Sequence, residues 1–218
     1  MATSALLGAG AFLGGTGSVA ADEHDDYDDN GMDDGEMMDE NGDDVTDIDI
    51  LNFALVLEFL EADFYRQGLN NLGCSGLLEA RALDDFGPAI RGRVFGDLEV
   101  VRDHEIEHAV VLAETIEELG GEPVEEPEFE FGTAVEDPDE FLLLGAELED
   151  TGVSAYNGSI ADIENPELVT AGATIATVEG RHASYLRVLT GEIGFPDVFD
   201  PTRTRDEVNE IASQFIVE

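Results

Sequence analysis

The sequence predicts an all-α protein in which four long helices form a bundle, a long crossover joins the second helix to the third, and a short helix follows at the C-terminus. Apolar residues recur every three or four positions along four stretches, which is the period of helices that bury one face. Between the second and third stretches, residues 121–136 are rich in Glu and Pro. Extended chain of that length can span about 55 Å, whereas a helix of about 25 residues is about 38 Å long. The segment can therefore run from one end of the bundle to the other.

The first helix is predicted to begin near Thr46 or Asp47, because either side chain can cap the free N–H groups of a first turn. Gly68 is expected to end this helix, since glycine is common just past a helix C-terminus. Residues 69–87 are predicted to be irregular, with one short helical piece around 77–83. The inward stripe of the first helix is Ile48, Leu51, Leu55, Glu58, Ala62 and Tyr65.

The second helix is predicted to run from about Pro88 to Leu119. Proline suits the first turn of a helix, where an N–H group would have no partner, and the pair Gly120-Gly121 can end the helix. The inward stripe of this helix is Val94, Leu98, Val101, Glu105, His108, Leu112 and Ile116.

The third and fourth helices share one start signal, a capping residue followed by proline. The signals are Asp137-Pro138 and Asn165-Pro166. The third helix is predicted to reach about Ala161, the fourth is predicted to stop at Gly191, and a short helix near 206–216 is expected to pack on the outside. The two stripes are Phe141, Leu144, Leu148, Glu149, Val153 and Tyr156, then Leu168, Gly172, Ile175, Glu179, His182, Leu186 and Leu189.

Two segments precede the predicted bundle of residues 47–218. Residues 1–21 form an apolar run that is too short and too rich in glycine to span a membrane, and its end, Ser18-Val19-Ala20, resembles a signal-peptide cleavage site. The basic part of a signal peptide is missing, so we interpret Met1 as an internal start with a twin-arginine stretch encoded upstream. Residues 22–46 are highly acidic and are predicted to be a disordered spacer. These features predict export to the cell envelope or the medium; the alternative is the cytoplasm of a high-salt cell.

The charge of the chain is extreme and of one sign. Its 218 residues include 52 Asp and Glu against nine basic residues, for a net charge of −43. Such a surface repels phosphate backbones and anionic headgroups, so nucleic acid and anionic membranes are excluded as expected partners. At molar salt the Debye length falls to about 3 Å, which screens the self-repulsion. The acidity therefore predicts adaptation to a saline interior or medium.

Chain length and composition are sufficient for one domain with a core, since 43% of the 218 residues are hydrophobic. Cys74 is the one cysteine of the sequence, so no intramolecular disulfide can form. We expect this thiol to be buried as a small apolar side chain rather than to be reactive.

Two pairs of residues with metal-ligand chemistry lie within the predicted helices, Glu105-x-x-His108 and Glu179-x-x-His182. A spacing of three puts both side chains of a pair on one helix face. These residues interrupt apolar stripes that must face inward, and a buried carboxylate without a partner is very costly. Divalent cations would supply the compensating charge, so a metal site is favoured over a purely structural polar core.

Each pair is preceded, one helix earlier, by a single glutamate with a tyrosine seven residues later: Glu58 with Tyr65, and Glu149 with Tyr156. Both halves of the body therefore follow one plan, which predicts a pseudo-two-fold bundle with a metal pair on its axis. Four glutamates and two histidines are the ligand set of a di-metal carboxylate bundle. The predicted metal ligands are Glu58, Glu105, His108, Glu149, Glu179 and His182.

Three assignments around this set stay open. Glu61 competes with Glu58 for the first-helix position, and Glu58 is preferred because its spacing to a tyrosine recurs in the second half. Tyr65 and Tyr156 can donate hydrogen bonds to ligating carboxylates or serve as ordinary core tyrosines. His104 is expected either to be exposed or to lie just outside the ligands.

The body, roughly residues 47–217, resembles the ferritin-like superfamily. It looks similar to the ferritin-like-domain family that includes the desiccation-related proteins of plants and many exported microbial members. The resemblance implies a di-iron or di-manganese centre, and the acidic spacer lies outside it. The likeness is carried by residues 49–55, 57–61, 64–65, 104–108, 148–156 and 179–183.

The resemblance and the ligand set together predict an exported stress-protection protein with redox chemistry on dioxygen or hydrogen peroxide. Its cofactor would be two divalent metal ions, Fe or Mn, because mixed imidazole and carboxylate ligands suit both. Catalase-like turnover and iron oxidation both fit, so whether the protein is an oxidoreductase stays open. The alternatives are a non-enzymatic scaffold protecting the envelope against water loss or salt, and iron binding or storage. Assembly into a homo-oligomer is compatible with the sequence.

Overall fold

The computed structural model describes residues 45–217, and most of them are helical. Within that range, an isolated bridge is the only β pairing, so the predicted all-α class is confirmed. Short 3-10 turns occupy Arg81–Leu83, Gly132–Val135 and Ile160–Asp162. The six α-helices of the described residues are α1 (Asp47–Leu77), α2 (Pro88–Arg91), α3 (Val94–Glu118), α4 (Pro138–Ser159), α5 (Pro166–Leu189) and α6 (Arg205–Ala212).

Four long helices, α1, α3, α4 and α5, form the bundle, in which α1 packs on α3, α4 packs on α5, and α1 also packs on α4. Ile48 at the start of α1 lies against Gly121 just after α3, so these helices are antiparallel. Gly68 of α1 lies against Phe141 near the start of α4, so α1 and α4 are antiparallel as well. Helices α3 and α4 therefore run the same way, and the predicted crossover between them is confirmed.

The helix starts follow the capping signals of the sequence. The Thr46 hydroxyl accepts the Asp49 N–H while the Asp49 carboxylate accepts the Thr46 N–H, a reciprocal box that satisfies two donors. The Asp137 carboxylate accepts the first free N–H groups of α4, and the Asn165 side chain accepts one from α5. These three caps fix where the long helices begin.

The predicted end of the first helix was wrong, because α1 continues past Gly68 to Leu77. Gly68 is instead a point of close packing, since a Cβ there would lie 2.2 Å from the Phe141 ring. The break comes at Gly73, whose φ of +59° lies in the left-handed region that favours glycine. Cys74 follows that break and is exposed, so the prediction that it is buried was also wrong.

The predicted second helix is two helices in the structure. Gly92 ends α2 by donating its N–H to the Pro88 carbonyl at 3.0 Å, and α3 begins only at Val94. The C-terminal helix α6 is shorter than predicted and packs on α4. Although α6 lies outside the four-helix bundle, its Val208 is fully buried and belongs to the larger apolar cluster.

The core consists of two apolar clusters. The larger cluster includes Phe64, Phe141 and Leu186, and the smaller one includes Leu55 and Ile116. Along each long helix, the buried glutamate falls between residues of one cluster and residues of the other. A layer of carboxylates therefore lies between two apolar regions that shield it from water.

The crossover is held by hydrogen bonds to one side chain of α1 and to the backbone of residues 215–217. Asn52 of α1 donates to the Glu122 carbonyl at 3.3 Å and accepts the Val124 N–H at 2.8 Å. Further along, the Glu130 N–H donates to the Phe215 carbonyl at 2.8 Å, and the Val217 N–H donates to the Glu128 carbonyl at 2.9 Å. Residues 215–217 thus help to hold the crossover in place.

The predicted leader of residues 1–21 and the spacer up to residue 44 lie outside the described residues. Among the helices of residues 45–217, none combines the length and the apolar character that a membrane crossing requires.

Candidate metal centre

All six predicted ligands come together between the two apolar clusters. Each long helix supplies one glutamate, and α3 and α5 each supply a histidine as well. All four glutamates are completely shielded from solvent, and His182 is 5% exposed, while the His108 side chain is 14% exposed. The residues brought together are Glu58, Glu105, His108, Glu149, Glu179 and His182.

The six side chains form two groups, and each group could hold a metal ion. Around His108 stand Glu58, Glu105 and Glu179, and around His182 stand Glu149 and the same Glu105 and Glu179. Within each group, one ligand atom from every residue lies within 4.8 Å of all the others. Glu105 and Glu179 therefore belong to both groups, whereas Glu58 and Glu149 belong to one each.

The first group converges on Nδ1 of His108. This nitrogen lies 3.2 Å from Oε2 of Glu58, 3.0 Å from Oε2 of Glu105 and 3.0 Å from Oε1 of Glu179. Adjacent ligands around a six-coordinate ion with bonds of about 2.1 Å lie about 3 Å apart. The spacing of these atoms is therefore that of a coordination shell.

The second group converges on Nδ1 of His182 and uses the other oxygens of the shared carboxylates. This nitrogen lies 2.8 Å from Oε1 of Glu105, 3.3 Å from Oε2 of Glu149 and 3.9 Å from Oε2 of Glu179. Glu105 and Glu179 thus each turn one oxygen to each group. That is the orientation of a carboxylate that bridges two cations.

The hydrogen bonding of these buried atoms tests whether a cation fits between them. Within the described residues, five fully buried atoms of the cluster accept or donate no hydrogen bond: Oε1 of Glu105, Oε2 of Glu149, both oxygens of Glu179 and Nδ1 of His182. The close approaches to Nδ1 of His182 lie off the directions that a hydrogen bond requires. Buried polar atoms almost always have a partner, and a cation between them would be a partner for all five.

Two tyrosines connect the halves of the centre by donating across it. The Tyr65 hydroxyl of α1 donates to Oε1 of Glu149 on α4 at 2.5 Å, and the Tyr156 hydroxyl of α4 donates to Oε1 of Glu58 on α1 at 2.5 Å. Burial and the adjacent carboxylates raise the pKa of both phenols well above the usual value. Both tyrosines therefore stay protonated and fix the orientation of one carboxylate each.

Most carboxyl groups of the centre are difficult to ionise without a cation. Burial, reinforced by Glu179, raises the pKa of Glu58 to about 8 although His108 opposes the shift. Burial and Glu105 raise the pKa of Glu149 and of Glu179. Burial also acts on Glu105, but the two imidazoles outweigh it and lower its pKa to about 2.

The histidines hold their protons unusually strongly when no cation is present. Burial disfavours the imidazolium, yet contacts with Glu105, Glu179 and Glu58 raise the pKa of His108 to about 12. Glu105 and Glu149 likewise raise the pKa of His182 to about 10. Because Nδ1 of each histidine must be bare to bind a metal, loading the centre would release protons.

His104 lies outside the ligand set and contacts it. Its ring is exposed and stacks on the His182 ring at a centroid distance of 5.2 Å. Nδ1 of His104 is 3.0 Å from Nε2 of His182. If Nε2 donates there, Nδ1 of His182 is left bare and points at the carboxylates, which is the tautomer that a metal needs.

Glu61 is the residue whose position differs most from the sequence interpretation, in which it competed with Glu58 for one site. Glu61 is buried as well, at 3% exposed, and its Oε1 lies against Gly152 of α4, but it belongs to neither group of possible ligand atoms. Burial, then Glu179 and Glu149, raise the pKa of Glu61 well above its usual value. The sequence contains an indication of this burial, because a residue three positions after Glu58 lies on the same helix face.

A four-helix bundle with a crossover and two carboxylate–histidine groups defines a helical protein whose interior could hold metal ions. In agreement, the family model described as ferritin-like domain matches residues 46–192. The chain belongs to this ferritin-like family, which confirms the superfamily that the sequence resembles. Among curated proteins, none matches the chain.

Proposed function

We propose that the chain binds two divalent ions, iron or manganese, one in each ligand group, and performs redox chemistry on dioxygen or hydrogen peroxide. The observation that carries this proposal is that Glu105 and Glu179 each direct one oxygen to each group. Four ionised glutamates would balance the charge of two divalent ions. A structural polar core would not need two carboxylates aimed in this way.

The ions would supply reversible changes of oxidation state, and the protein residues would control access and protonation. The apolar clusters on both sides exclude water from the carboxylates, which strengthens every charge interaction between them. Tyr65 and Tyr156 hold Glu149 and Glu58 by hydrogen bonds. Glu105 and Glu179 have no hydrogen bonds to phenols within the described residues, so their oxygens can adjust as the charge of the centre changes.

Elemental analysis of protein purified in molar salt tests the metal content. We expect two ions of iron or manganese per chain, and a chelator-treated sample at the same salt provides the metal-free control. Folded helical protein with substoichiometric metal would support the scaffold alternative instead. Iron far in excess of two ions per chain would support storage.

Oxidant chemistry is tested by adding hydrogen peroxide or dioxygen to loaded protein. We expect an absorbance change at the centre with either oxidant, and evolution of dioxygen from peroxide if the turnover is catalase-like. Iron(II) consumed with uptake of dioxygen would indicate iron oxidation. Loaded protein that responds to neither oxidant would contradict the redox proposal while leaving the metal site standing.

We further propose that the chain is exported and serves in stress protection, in the manner of desiccation-related members of the family. The leader of residues 1–21 and the acidic composition support this part of the proposal. N-terminal sequencing of protein from the envelope and medium of its host should find a start near residue 21. An intact leader on protein confined to the cytoplasm would contradict it.

A further inference from the structure

The segment 193–199, between α5 and α6, exposes four large apolar side chains on a chain whose net charge is −43. Each of them is 64–90% exposed: Ile193, Phe195, Val198 and Phe199. A phenylalanine has about 150–250 Å² of surface to bury, so two such rings with an isoleucine and a valine expose roughly 600 Å². A contiguous apolar surface of that size is typical of an interaction site.

This segment is attached to the bundle near its start and again just after its end. Gly194 is buried against α5, where an added Cβ would lie 2.6 Å from Oγ of Ser184. The Arg203 N–H donates to the Ser154 carbonyl of α4 at 3.1 Å, and the Arg203 guanidinium donates to Oγ of Ser154 at 2.9 Å. Because the exposed surface is already fixed in place, covering it costs little further ordering of the chain.

A groove of about 490 Å³ opens beside the segment, between α4, α5 and the segment itself. Its lining includes apolar side chains from all three, namely Val153, Val188 and Phe195. Phe195 therefore belongs both to the exposed apolar segment and to the groove. A face that carries a projecting segment next to a groove can match a second copy of itself across a two-fold axis.

The charged residues of the groove also favour a second copy. Arg187 pairs with Asp150 at 2.7 Å, whereas the exposed Arg181 forms no ion pair with any described residue. The side chains of Asp197 and Asp200 likewise have no partner within residues 45–217. An arginine without an acidic partner stands out in a chain with 52 acidic and nine basic residues. In a two-fold pair, Arg181 of each copy can face the aspartates of the other.

We propose that the segment 193–199 and the adjoining groove form the interface of a homodimer, in which the segment of each copy packs into the groove of the other. The apolar surface of roughly 600 Å², together with the charged rim, approaches the 800 Å² or so that each partner of a stable interface buries. At molar salt the Debye length is about 3 Å, so negative charges elsewhere on two copies do not keep them apart. The interface does not depend on the metal proposal, because no predicted ligand lines the groove.

Sedimentation equilibrium of the full chain in molar salt tests this interface. Wild type should reach twice the chain mass of 23.4 kDa as its concentration rises. Phe195→Ser combined with Phe199→Ser removes both aromatic rings and should raise the dissociation constant at least about 100-fold. Wild type that stays monomeric at every concentration would overturn the inference, and so would a double variant that dimerises as tightly as wild type.

Leu119→Ser is the matched control for losing an exposed apolar side chain. Leu119 is 41% exposed, follows α3 and does not line the groove. This variant should therefore dimerise as wild type does. An equal loss of association in Leu119→Ser and in the double phenylalanine variant would indicate a general effect of surface polarity and overturn the assignment of the interface to this segment.

A charge exchange tests the predicted pairing across the two-fold axis. Arg181→Asp removes two exposed ion pairs from the dimer and should weaken it about fivefold. Adding Asp197→Arg and Asp200→Arg to that variant should restore part of the affinity, because the pairs form again with their charges reversed. Association that is unchanged in Arg181→Asp, or not restored in the exchanged variant, would overturn this arrangement of the two copies.

Two further measurements separate a second copy from other partners and from the metal proposal. Neutral-lipid vesicles that bind monomeric wild type, but not the double phenylalanine variant, would indicate a lipid partner and overturn the inference. Elemental analysis of the folded double variant should find the metal content of wild type. Metal lost together with association would show that the segment supports the centre rather than an interface, and would overturn the inference. Wild-type dimers without metal would contradict the proposed function and leave the interface standing.

Discussion

The α1–α3 half and the α4–α5 half of the bundle have the same ligand plan and different surroundings. Each half provides a single glutamate, a tyrosine seven residues later and a Glu-x-x-His pair. Each tyrosine donates to the single glutamate of the other half, at 2.5 Å in both cases. The bonds that hold the centre together therefore run across the two-fold axis, so neither half can form the site alone.

The two halves differ at residues that lie next to the predicted ligands. Glu61 in the first half corresponds to Gly152 in the second, and His104 corresponds to Val178. His104 contacts His182, whereas a valine can offer no such hydrogen bond to His108. The comparison teaches that the predicted ligand positions are symmetric while the residues around them are not. Changes made in pairs, one in each half, can measure that asymmetry.

The largest effect is expected from removing the histidines. His108→Ala or His182→Ala should each abolish metal loading, with affinity lower by more than about 100-fold, because each group loses its imidazole and the shared carboxylates couple the groups. Helix content should be nearly intact. Elemental analysis and circular dichroism check both. Full metal content in both variants would show that the site assignment is wrong.

A pH series on the metal-free protein compares the single glutamates. The pKa of Glu58 is raised by burial from 4.5 to about 8, so between these values the folded protein keeps a proton that the unfolded chain has lost. Stability should therefore fall as pH rises through this window, by about 5 °C or more in Tm. Melting curves at constant molar salt measure this.

Glu58→Gln and Glu149→Gln should each reduce the fall of Tm with pH. Glutamine has no carboxyl proton, so it removes one group whose pKa differs between the folded and unfolded protein. Similar flattening would show that the two halves bury their acids to the same extent. Metal-loaded protein is the control, since its carboxylates are already ionised. A metal-free profile that rises between pH 5 and 8 would contradict the predicted protonation of the centre.

Replacing either tyrosine with phenylalanine should have a smaller effect, and the comparison of the two variants tests the symmetry of the centre. Tyr65→Phe and Tyr156→Phe each remove one hydrogen bond to a buried carboxyl group, and each should cost about 1–3 kcal/mol of unfolding free energy. Chemical denaturation at molar salt measures the loss. Tyr185→Phe is the control, because that hydroxyl bonds Asp97 away from the centre at 2.9 Å. Clearly unequal losses of unfolding free energy would show that the two halves differ at the predicted ligands and not only at the residues around them.

The smallest effect is expected from replacing His104, which contacts His182 without belonging to the predicted ligand set. His104→Ala should weaken one of the two ions by about tenfold, because the tautomer of His182 is no longer fixed by its neighbour. Val178→Ala, the corresponding change in the second half, should leave both affinities unchanged. Titration with Mn²⁺ resolves the two ions, and His104→Gln should restore part of the affinity by offering an acceptor. Equal affinities in all these variants would remove His104 from the centre.

Sequence reasoning located the long helices and the six central residues because both depend on local rules. Thr46, Asp137 and Asn165 cap helices through bonds to residues two or three positions away, which a sequence displays directly. The glutamates and histidines stood out because they interrupted apolar stripes. Burial of a charged group is visible in one sequence when the surrounding period is strong.

The features that sequence reasoning missed depend on contacts between distant segments. A glycine in a helix can end it or let another helix approach, and Gly68 does the second only because Phe141 lies there. Glu61 is buried against Gly152 of α4, and the two residues are 91 positions apart. For His104, the sequence left open whether it is exposed or lies just outside the ligands, because its contact with His182 depends on how α3 and α5 are rotated.

The pairing of the crossover with Phe215 and Val217 has a consequence for synthesis of the chain. The residues joined by these two bonds are 85 and 89 positions apart in the sequence, so this seam can form only after the later residues have been synthesised. The two hairpins can form earlier from neighbouring helices, as domains of larger proteins do during translation. A deletion of residues 215–217 would therefore disturb the crossover between α3 and α4, far along the sequence from where the change was made.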